Sequence, residues 1–574
     1  MHILETIKKG WNKFDAITKK WTEGHYIVLT CIFIILTYIV FNVQAEGNDD
    51  PGMMQYISGF LTGKPDILPY TMGMPYTYLI SRLYLLSTAI PWYGLAYVLI
   101  NTVSVLVICQ RFIRKNCTKE DYFYFLCIYI AFFVYQLTNI QFTMVAGLAG
   151  TAAIMIVYDM NEEKKNGIFD IVLAVIFSFF SYNIRFQCGL VALGVMIYCV
   201  LGNGILLKMW NEKQIICLFS CIGIMVISAL SNKIYVNNTG WKEYADLNSE
   251  RSYYMDVAGI EYDENEDLYE SIGWDEDIYN LTNNWCFMDD SANRENFAIL
   301  KLENQKRIAD NAPSAGQRIW NFLSDVVEFA RTLQGQIAIL TGWLLWILAD
   351  FLHSIHSKKS ENIRRLIYSI GFYAIAAALI MYLIFFKRYY NNRTVIMILS
   401  SCMIPSFRLS SINLKKIHKK KEKIVSIMLA CGLFILVMGG LHMQKWRTIH
   451  TYDRWNNVYD YVLKHKDCIY VGDISMTLPA DLFKTFTAEE APTNYIFWGG
   501  WLADSPMAVN QLETNGLQDL TLEDMLDENK FFIGDTAYID DLLPYYNKRF
   551  DNVTAEIYYE TDQFMVYGFR FCDN

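Results

Sequence analysis

Apolar residues in this chain gather in blocks of roughly 17–25, the length of a helix that crosses a bilayer. About eleven blocks are legible, over 25–43, 91–110, 121–137, 142–158, 168–184, 186–204, 214–233, 336–353, 366–386, 393–407 and 424–442. Each reads as a helix. Lipid-exposed backbone has no water to bond, and the period-two alternation of a barrel strand is absent. Val43-Gln44-Ala45 has the small residues of a leader cleavage site. The block before it still reads as a retained span, because its apolar run and the charged segment ahead of it are too long for a leader.

The stretches between blocks are patterned as well. Residues 1–24 set Leu4, Ile7, Trp11, Phe14, Ile17 and Trp21 three or four apart with lysines between, which predicts an amphipathic helix on the inner leaflet. Residues 44–90 hold Pro51, Pro65, Pro69 and Pro75, with Pro91 just beyond. Prolines at this density break a segment into short pieces. Two short helices are expected there, Met53–Phe60 and the amphipathic Pro75–Ala89. Residues 234–335 form a large insertion rich in Trp, Tyr and acids, with Asp275 as a helix cap and a helix over Arg294–Asp310. Residues 443–574 read as a small α/β domain. It comprises a helix over Trp446–Lys464, strands starting at Cys468 and Phe531, and a helix over Ala537–Lys548 ended or kinked at Pro544. A hairpin of Ala555–Glu560 with Phe564–Phe571 closes it.

Charge gives these pieces a direction. Loops holding Lys8–Lys20, Arg111–Lys119, Lys164–Lys165, Lys208–Lys213, Lys358–Arg365 and Arg408–Lys423 carry roughly two dozen cations, against about six in the alternate loops. The N-terminus is therefore expected in the cytoplasm. An odd span count puts residues 443–574 outside, in a multi-pass protein of the cell membrane. Tyr76–Ile90 is long enough to tempt as a further span. Counting it would spoil the charge pattern, so it is laid along the outer membrane surface. The fold expected is an all-α polytopic membrane domain over residues 25–442, with an extracytoplasmic insertion and an extracytoplasmic C-terminal α/β domain.

Composition removes some functions. The 574 residues are 53% hydrophobic and carry a net charge of −10, most of it in the outward segments, so no basic face is left for nucleic acid. Of 13 cysteines only Cys286, Cys468 and Cys572 lie in those segments, which is no disulfide framework, though one bridge stays open. The eight histidines have no metal-ligand spacing. The acidic stretch 259–290 lacks the spacing of a calcium loop and reads as a solvated surface. Nucleotide loops and hydrolase elbows are missing from the sequence. Ionisable residues inside the spans, the mark of many carriers, are almost absent.

The charge that can do chemistry collects at the outward rim: Asp49 and Asp50 just past the first span, then Lys64, Arg82, Arg185, Lys387, Arg388 and Arg393. Carboxylates beside cations at a membrane surface suit deprotonation of a hydroxyl next to a lipid-anchored phosphate. With Glu46-Gly47-Asn48-Asp49-Asp50 after span one, two surface helices, Ile90-Pro91-Trp92-Tyr93-Gly94 leading into the next span, and the late turn Lys387–Arg393, the chain resembles the GT-C superfamily of membrane glycosyltransferases.

That resemblance implies an inverting sugar transfer from a polyprenyl-phosphate donor to an envelope glycan, lipid or protein. Asp49 or Asp50 would be the general base. Lys64, Arg82, Arg185, Arg388 and Arg393 would bind the phosphate. Membrane lipids are the surrounding partner, and a divalent cation stays open as a cofactor. Asp49 is the preferred base, with Asp50 capping a helix that Pro51 would open. One departure stands out. Many members place a second acid in the loop between spans three and four, which here is Leu137-Thr138-Asn139-Ile140-Gln141. Two alternatives remain: a non-catalytic membrane protein for assembly or export of envelope polysaccharide, and a transporter.

Overall fold

The computed structural model describes residues 22–45, 49–113, 119–160, 167–257, 260–357, 359–386, 391–409, 423–445, 453–472, 481–534 and 538–572. The amphipathic helix expected over 1–24 lies almost wholly outside them, as does Arg388. The chain divides into two compact units. One is built from 1–46, 96–229 and 315–449, the other from 47–95, 230–314 and 450–574.

All of the apolar blocks are helical. Nine of the described helices are long and apolar enough to cross a membrane: Glu23–Val40, Trp92–Phe112, Asp121–Thr138, Gly167–Ile184, Phe186–Leu206, Glu212–Asn237, Gln334–Ile355, Ser360–Phe385 and Lys423–Gln444. The other two blocks form the centre of the first unit. Phe142–Tyr158 is buried at every position, and Asn392–Leu409 is buried along most of its length. Ala146, Gly147, Ala149 and Gly150 are small because neighbours press on them. A methyl group on Gly147 would overlap Met397, and one on Gly150 would stand 2.9 Å from the Ala192 methyl. Arg111 and Asp170, 4% exposed each, form a buried ion pair in this unit. A parallel pair of two-residue strands, Gln44–Ala45 with Asn139–Ile140, ties the segment just after the first span to the loop before Phe142.

The second unit contains a five-stranded sheet in the order Tyr495–Phe497, Ile469–Gly472, Lys530–Gly534, Met565–Phe571, Val553–Glu560. The first three strands run parallel, and the last two are an antiparallel hairpin added at the far side. The hairpin, the Ile469 and Lys530 strands and the helix Arg294–Asp310 lie where the sequence predicts them. Asp275 caps its helix, its Oδ1 accepting from Ile278 N at 3.0 Å. The helix over Ile539–Arg549 runs through Pro544, which forfeits the bond to the Asp540 carbonyl without ending the helix. Cys286, Cys468 and Cys572 are free thiols. One core joins insertion and sheet: Tyr254, Trp274 and Phe297 pack in the same cluster as Val471, Ile496 and Phe532.

Candidate active site

The helix carrying the acid pair spans Asp49–Ser58. It begins two residues before Pro51, the first position expected, so Asp50 is inside the first turn and Pro51 is third. Proline is tolerated there because the first-turn N–H groups have no intrahelical partner. Gly59 ends the helix at φ +81°, with Phe60 N bonded to Gln55 O at 2.9 Å and Gly59 N to Tyr56 O at 3.1 Å. This is a Schellman cap, which a glycine in the left-handed region completes.

The two acids part company in the fold. Asp49 is half-buried at the helix tip, whereas Asp50 is 0% exposed. The Tyr93 hydroxyl donates to Asp50 Oδ1 at 2.7 Å, and Tyr93 N donates to the Tyr84 hydroxyl at 3.1 Å. Tyr76 and Tyr84 sit two turns apart on the buried face of the helix Met74–Leu86. Burial pushes the Tyr76 phenol well above its usual 10, and the nearby Asp50 charge and Tyr84 push the same way. Burial holds Tyr84 up to about 12, against the bond from Tyr93 N. Both phenols therefore keep their protons at neutral pH.

The acid helix is braced from the C-terminal segment. Gln55 Nε2 donates to the Tyr459 hydroxyl at 2.7 Å, and Phe60 meets Tyr459 and Phe486 edge-on, both at 5.1 Å. Thr88 Oγ1 donates to Phe486 O at 2.6 Å. These contacts fix both ends of the segment that carries the acids and tyrosines.

The cations distribute unevenly. Lys64 is exposed on the loop after Gly59. Arg82 is exposed on the side of its helix away from Tyr76 and Tyr84, with its guanidinium 4.7 Å from the Tyr78 ring centre. Leu79, Leu85 and Leu86 are exposed on that helix too, as in a helix lying on a lipid interface. In the other unit, Arg185 stands half-buried before the helix Phe186–Leu201, its guanidinium 4.9 Å from the Phe142 ring centre. Arg393 is half-buried in the first turn of Asn392–Leu409.

Buried amides stand in and beside the loop without a carboxylate. Among the described residues, Gln141 Nε2 in the loop, Gln136 Nε2 and Oε1 just before it, and Oδ1 of Asn101 on the helix Trp92–Phe112 have no partner. Gln141 uses its Oε1 to cap the next helix, accepting from Thr143 N at 2.7 Å. Also among the described residues, no three His, Cys, Asp or Glu side chains are grouped to hold a metal ion. The tyrosines were missed by reasoning from charge alone. Their signal was the spacing of Tyr76, Ile80 and Tyr84, a helix stripe that needed a reason to be buried.

No family model matches the sequence, and no curated protein does. Among solved structures, the chain is similar to ArnT from Cupriavidus metallidurans in the apo state. The identity is 9% and the TM-score 0.41, over 95% of this chain and 97% of that one. It is also similar to that protein bound to undecaprenyl phosphate, at 8% identity and TM-score 0.38, over 95% and 98% of the two chains. A third likeness is to the archaeal oligosaccharyltransferase AglB from Archaeoglobus fulgidus, in complex with an inhibitory peptide and a dolichol-phosphate. There the identity is 10% and the TM-score 0.38, over 96% of this chain and 74% of that one. At such identities and TM-scores these likenesses carry neither an activity nor a residue role across.

Proposed function

We propose that this protein is a membrane glycosyltransferase that moves a sugar from a polyprenyl-phosphate donor to a hydroxyl of a cell-envelope acceptor, with inversion. The observation that carries the reading is the division between two adjacent carboxylates at one helix tip. Asp50 is fully buried under a tyrosine donor, and Asp49 is accessible. Asp49 is assigned as general base. It takes the proton from the acceptor hydroxyl as that oxygen attacks the anomeric carbon. The bond from that carbon to the phosphate oxygen breaks, and the lipid phosphate leaves with the electron pair. Asp50 is a positioning residue that anchors the helix tip through Tyr93.

Lys64, Arg185, Arg388 and Arg393 are assigned to the departing phosphate, where fixed positive charge stabilises the transition state. Arg82 is assigned to lipid headgroups, given the exposed apolar face around it. The chemistry is placed on the outward side, with the N-terminus in the cytoplasm.

Gln141 in the loop expected to carry a second acid, with the buried amide of Gln136 just before it, favours one competing reading: a non-catalytic protein for assembly or export of envelope polysaccharide. Asp49→Asn and Asp50→Asn in the native host separate the two. The expected result is normal insertion with loss of the surface sugar that a deletion also loses. A surface glycan kept by both variants but lost on deletion transfers the case to the assembly reading.

A further inference from the structure

The helix Ala315–Thr332 is apolar on one half and polar on the other, and Phe329 is its one buried residue. The apolar half divides into two flanks. On one flank stand Phe329 and Phe322, and Phe322 meets Phe385 edge-on with 6.0 Å between ring centres. On the other flank Ile319, Trp320, Leu323 and Val327 share about 100° of helical arc. These four are 63%, 73%, 51% and 49% exposed. Large apolar side chains left open in a row mark an interaction surface.

Covalent continuity puts this helix at a membrane boundary. Leu333 alone separates it from the span Gln334–Ser357. Leu333 N donates to Phe329 O at 2.9 Å, and Leu333 O accepts from Ile337 N at 3.0 Å, so one buried residue ends the first helix and opens the next. Phe385, the partner of Phe322, closes the span Ser360–Phe385. Tyr382, Phe385 and Phe386 are exposed around that end, an aromatic collar of the kind found where a bilayer meets water. The open row therefore borders a surface that lipid covers.

We propose that Ala315–Thr332 lies in the plane of the membrane interface, with Ile319, Trp320, Leu323 and Val327 sunk among the lipid chains. The occupant of the open row is the bilayer itself. Arg318 and Arg331 balance Asp325 and Glu328, so the attraction is apolar and owes little to anionic headgroups. Gln336, 1% exposed in the first turn of the following span, donates from Nε2 to Asn392 Oδ1 at 2.8 Å, next to Arg393 in the chain. The seated helix thereby holds Arg393 at headgroup height, where a lipid-borne phosphate lies. The bearing on that phosphate rests on the transferase reading; the seating does not.

The test is electron paramagnetic resonance on the full chain in lipid nanodiscs. A nitroxide on p-acetylphenylalanine is placed in turn at Leu323, Val327, Asn321 and Glu328, all exposed positions. Discs of phosphatidylcholine are compared with discs that also contain phosphatidylglycerol. Molecular oxygen concentrates among lipid chains, and a nickel chelate stays in water. Oxygen collisions are expected to exceed chelate collisions at 323 and 327 and to fall below them at 321 and 328, in both lipids. An excess of chelate collisions at 323 and 327 puts the row in water and overturns the seat. Exclusion of both probes there means a protein cover, from this chain or a second copy, and overturns it too. A contrast confined to phosphatidylglycerol overturns the apolar drive. In the native host, Leu323→Asn with Val327→Asn is expected to keep the membrane level of the protein and to lower its surface glycan severalfold. A glycan kept by that variant and lost in Asp49→Asn ends the coupling to Arg393. A glycan kept in both, with the nitroxides in lipid, keeps the seat and ends the transferase reading.

Discussion

Tyr93 is the residue that makes two neighbouring aspartates different. In the sequence Asp49 and Asp50 follow from the same reasoning about an acid at the mouth of a span, and only Pro51 ranks Asp49 ahead as base. Which one is accessible depends on a tyrosine 43 positions away from Asp50, and no local pattern reports that pairing. Tyr93→Phe removes a hydrogen bond to a buried carboxylate and is expected to cost about 1.5–3 kcal/mol, read as a lowered thermal midpoint in detergent. Asp49→Asn is expected to shift the same midpoint by no more than about 0.5 kcal/mol, as partly exposed sites do. Its transfer rate should nonetheless fall by about 10²–10⁴. An Asp49→Asn protein as destabilised as Tyr93→Phe would contradict the division of roles. Tyr84 supplies a pH test. Its folded pKa is about 12, above the usual 10, so the native state holds a proton that the unfolded chain releases. Its contribution to stability is complete below pH 10 and is lost as pH rises through about 12. Tyr84→Phe should therefore flatten the alkaline fall of the thermal midpoint in that window, whatever static cost it carries from the lost bond to Tyr93 N.

At the scale of elements, the spans were legible because lipid imposes one length and one backbone geometry, and an apolar block reports both. The packing between them was less legible. Gly335 and Gly342 on one helix face Gly439 and Gly432 on another. A Cβ on Gly342 would stand 2.6 Å from Gly432 O, and one on Gly432 would stand 2.9 Å from Gly342 O. Both glycine pairs are seven residues apart, a seam of small residues that lets backbones touch where lipid gives no hydrophobic drive. Gly342→Leu is expected to force the helices apart and cost about 1–3 kcal/mol, seen as earlier thermal aggregation in detergent. A parent-like midpoint would show that the seam yields. The short helix Asp49–Ser58 was placed a few residues late by the sequence reading, since Asp-Asp-Pro reads equally as a cap or as a first turn. The strand Tyr495–Phe497 went unread. Three residues give no periodicity, and its partners Tyr470–Gly472 lie more than twenty positions upstream. Gly59 bears on the site directly. At φ +81° it closes the acid helix, and a Cβ there would meet the Lys64 carbonyl carbon at 2.5 Å. Gly59→Ala is expected to cost more than about 1 kcal/mol and to lower transfer along with stability, by moving the helix tip.

For the whole molecule, the sequence suggested three separate bodies outside the spans, and the fold joins parts of all three. Residues 47–95, 230–314 and 450–574 form one compact unit, although the stretches 96–229 and 315–449 separate them along the chain. Sequence could not announce this, because each segment carries its own helices or strands and the shared core becomes visible only when they meet. The sharing is energetic as well as geometric. Tyr254, Trp274 and Phe297 from the insertion pack with Val471, Ile496 and Phe532 of the sheet and with Trp498 just past its edge strand. Phe287 N bonds Trp498 O at 3.1 Å, beside the edge strand, and Leu522 N bonds Met288 O at 3.1 Å. Burial of each large side chain is worth about 1.5–3 kcal/mol. Losing even three such partners removes an amount comparable with the whole stability of a domain, about 5–15 kcal/mol. Residues 450–574 produced alone are therefore expected to show no cooperative thermal transition by circular dichroism and poorly dispersed amide resonances. Fusing residues 230–314 to them should restore both signals. A sharp transition from 450–574 alone would mean that the sheet is self-sufficient. The bracing of the acid helix through Tyr459 and Phe486 would then survive without the insertion.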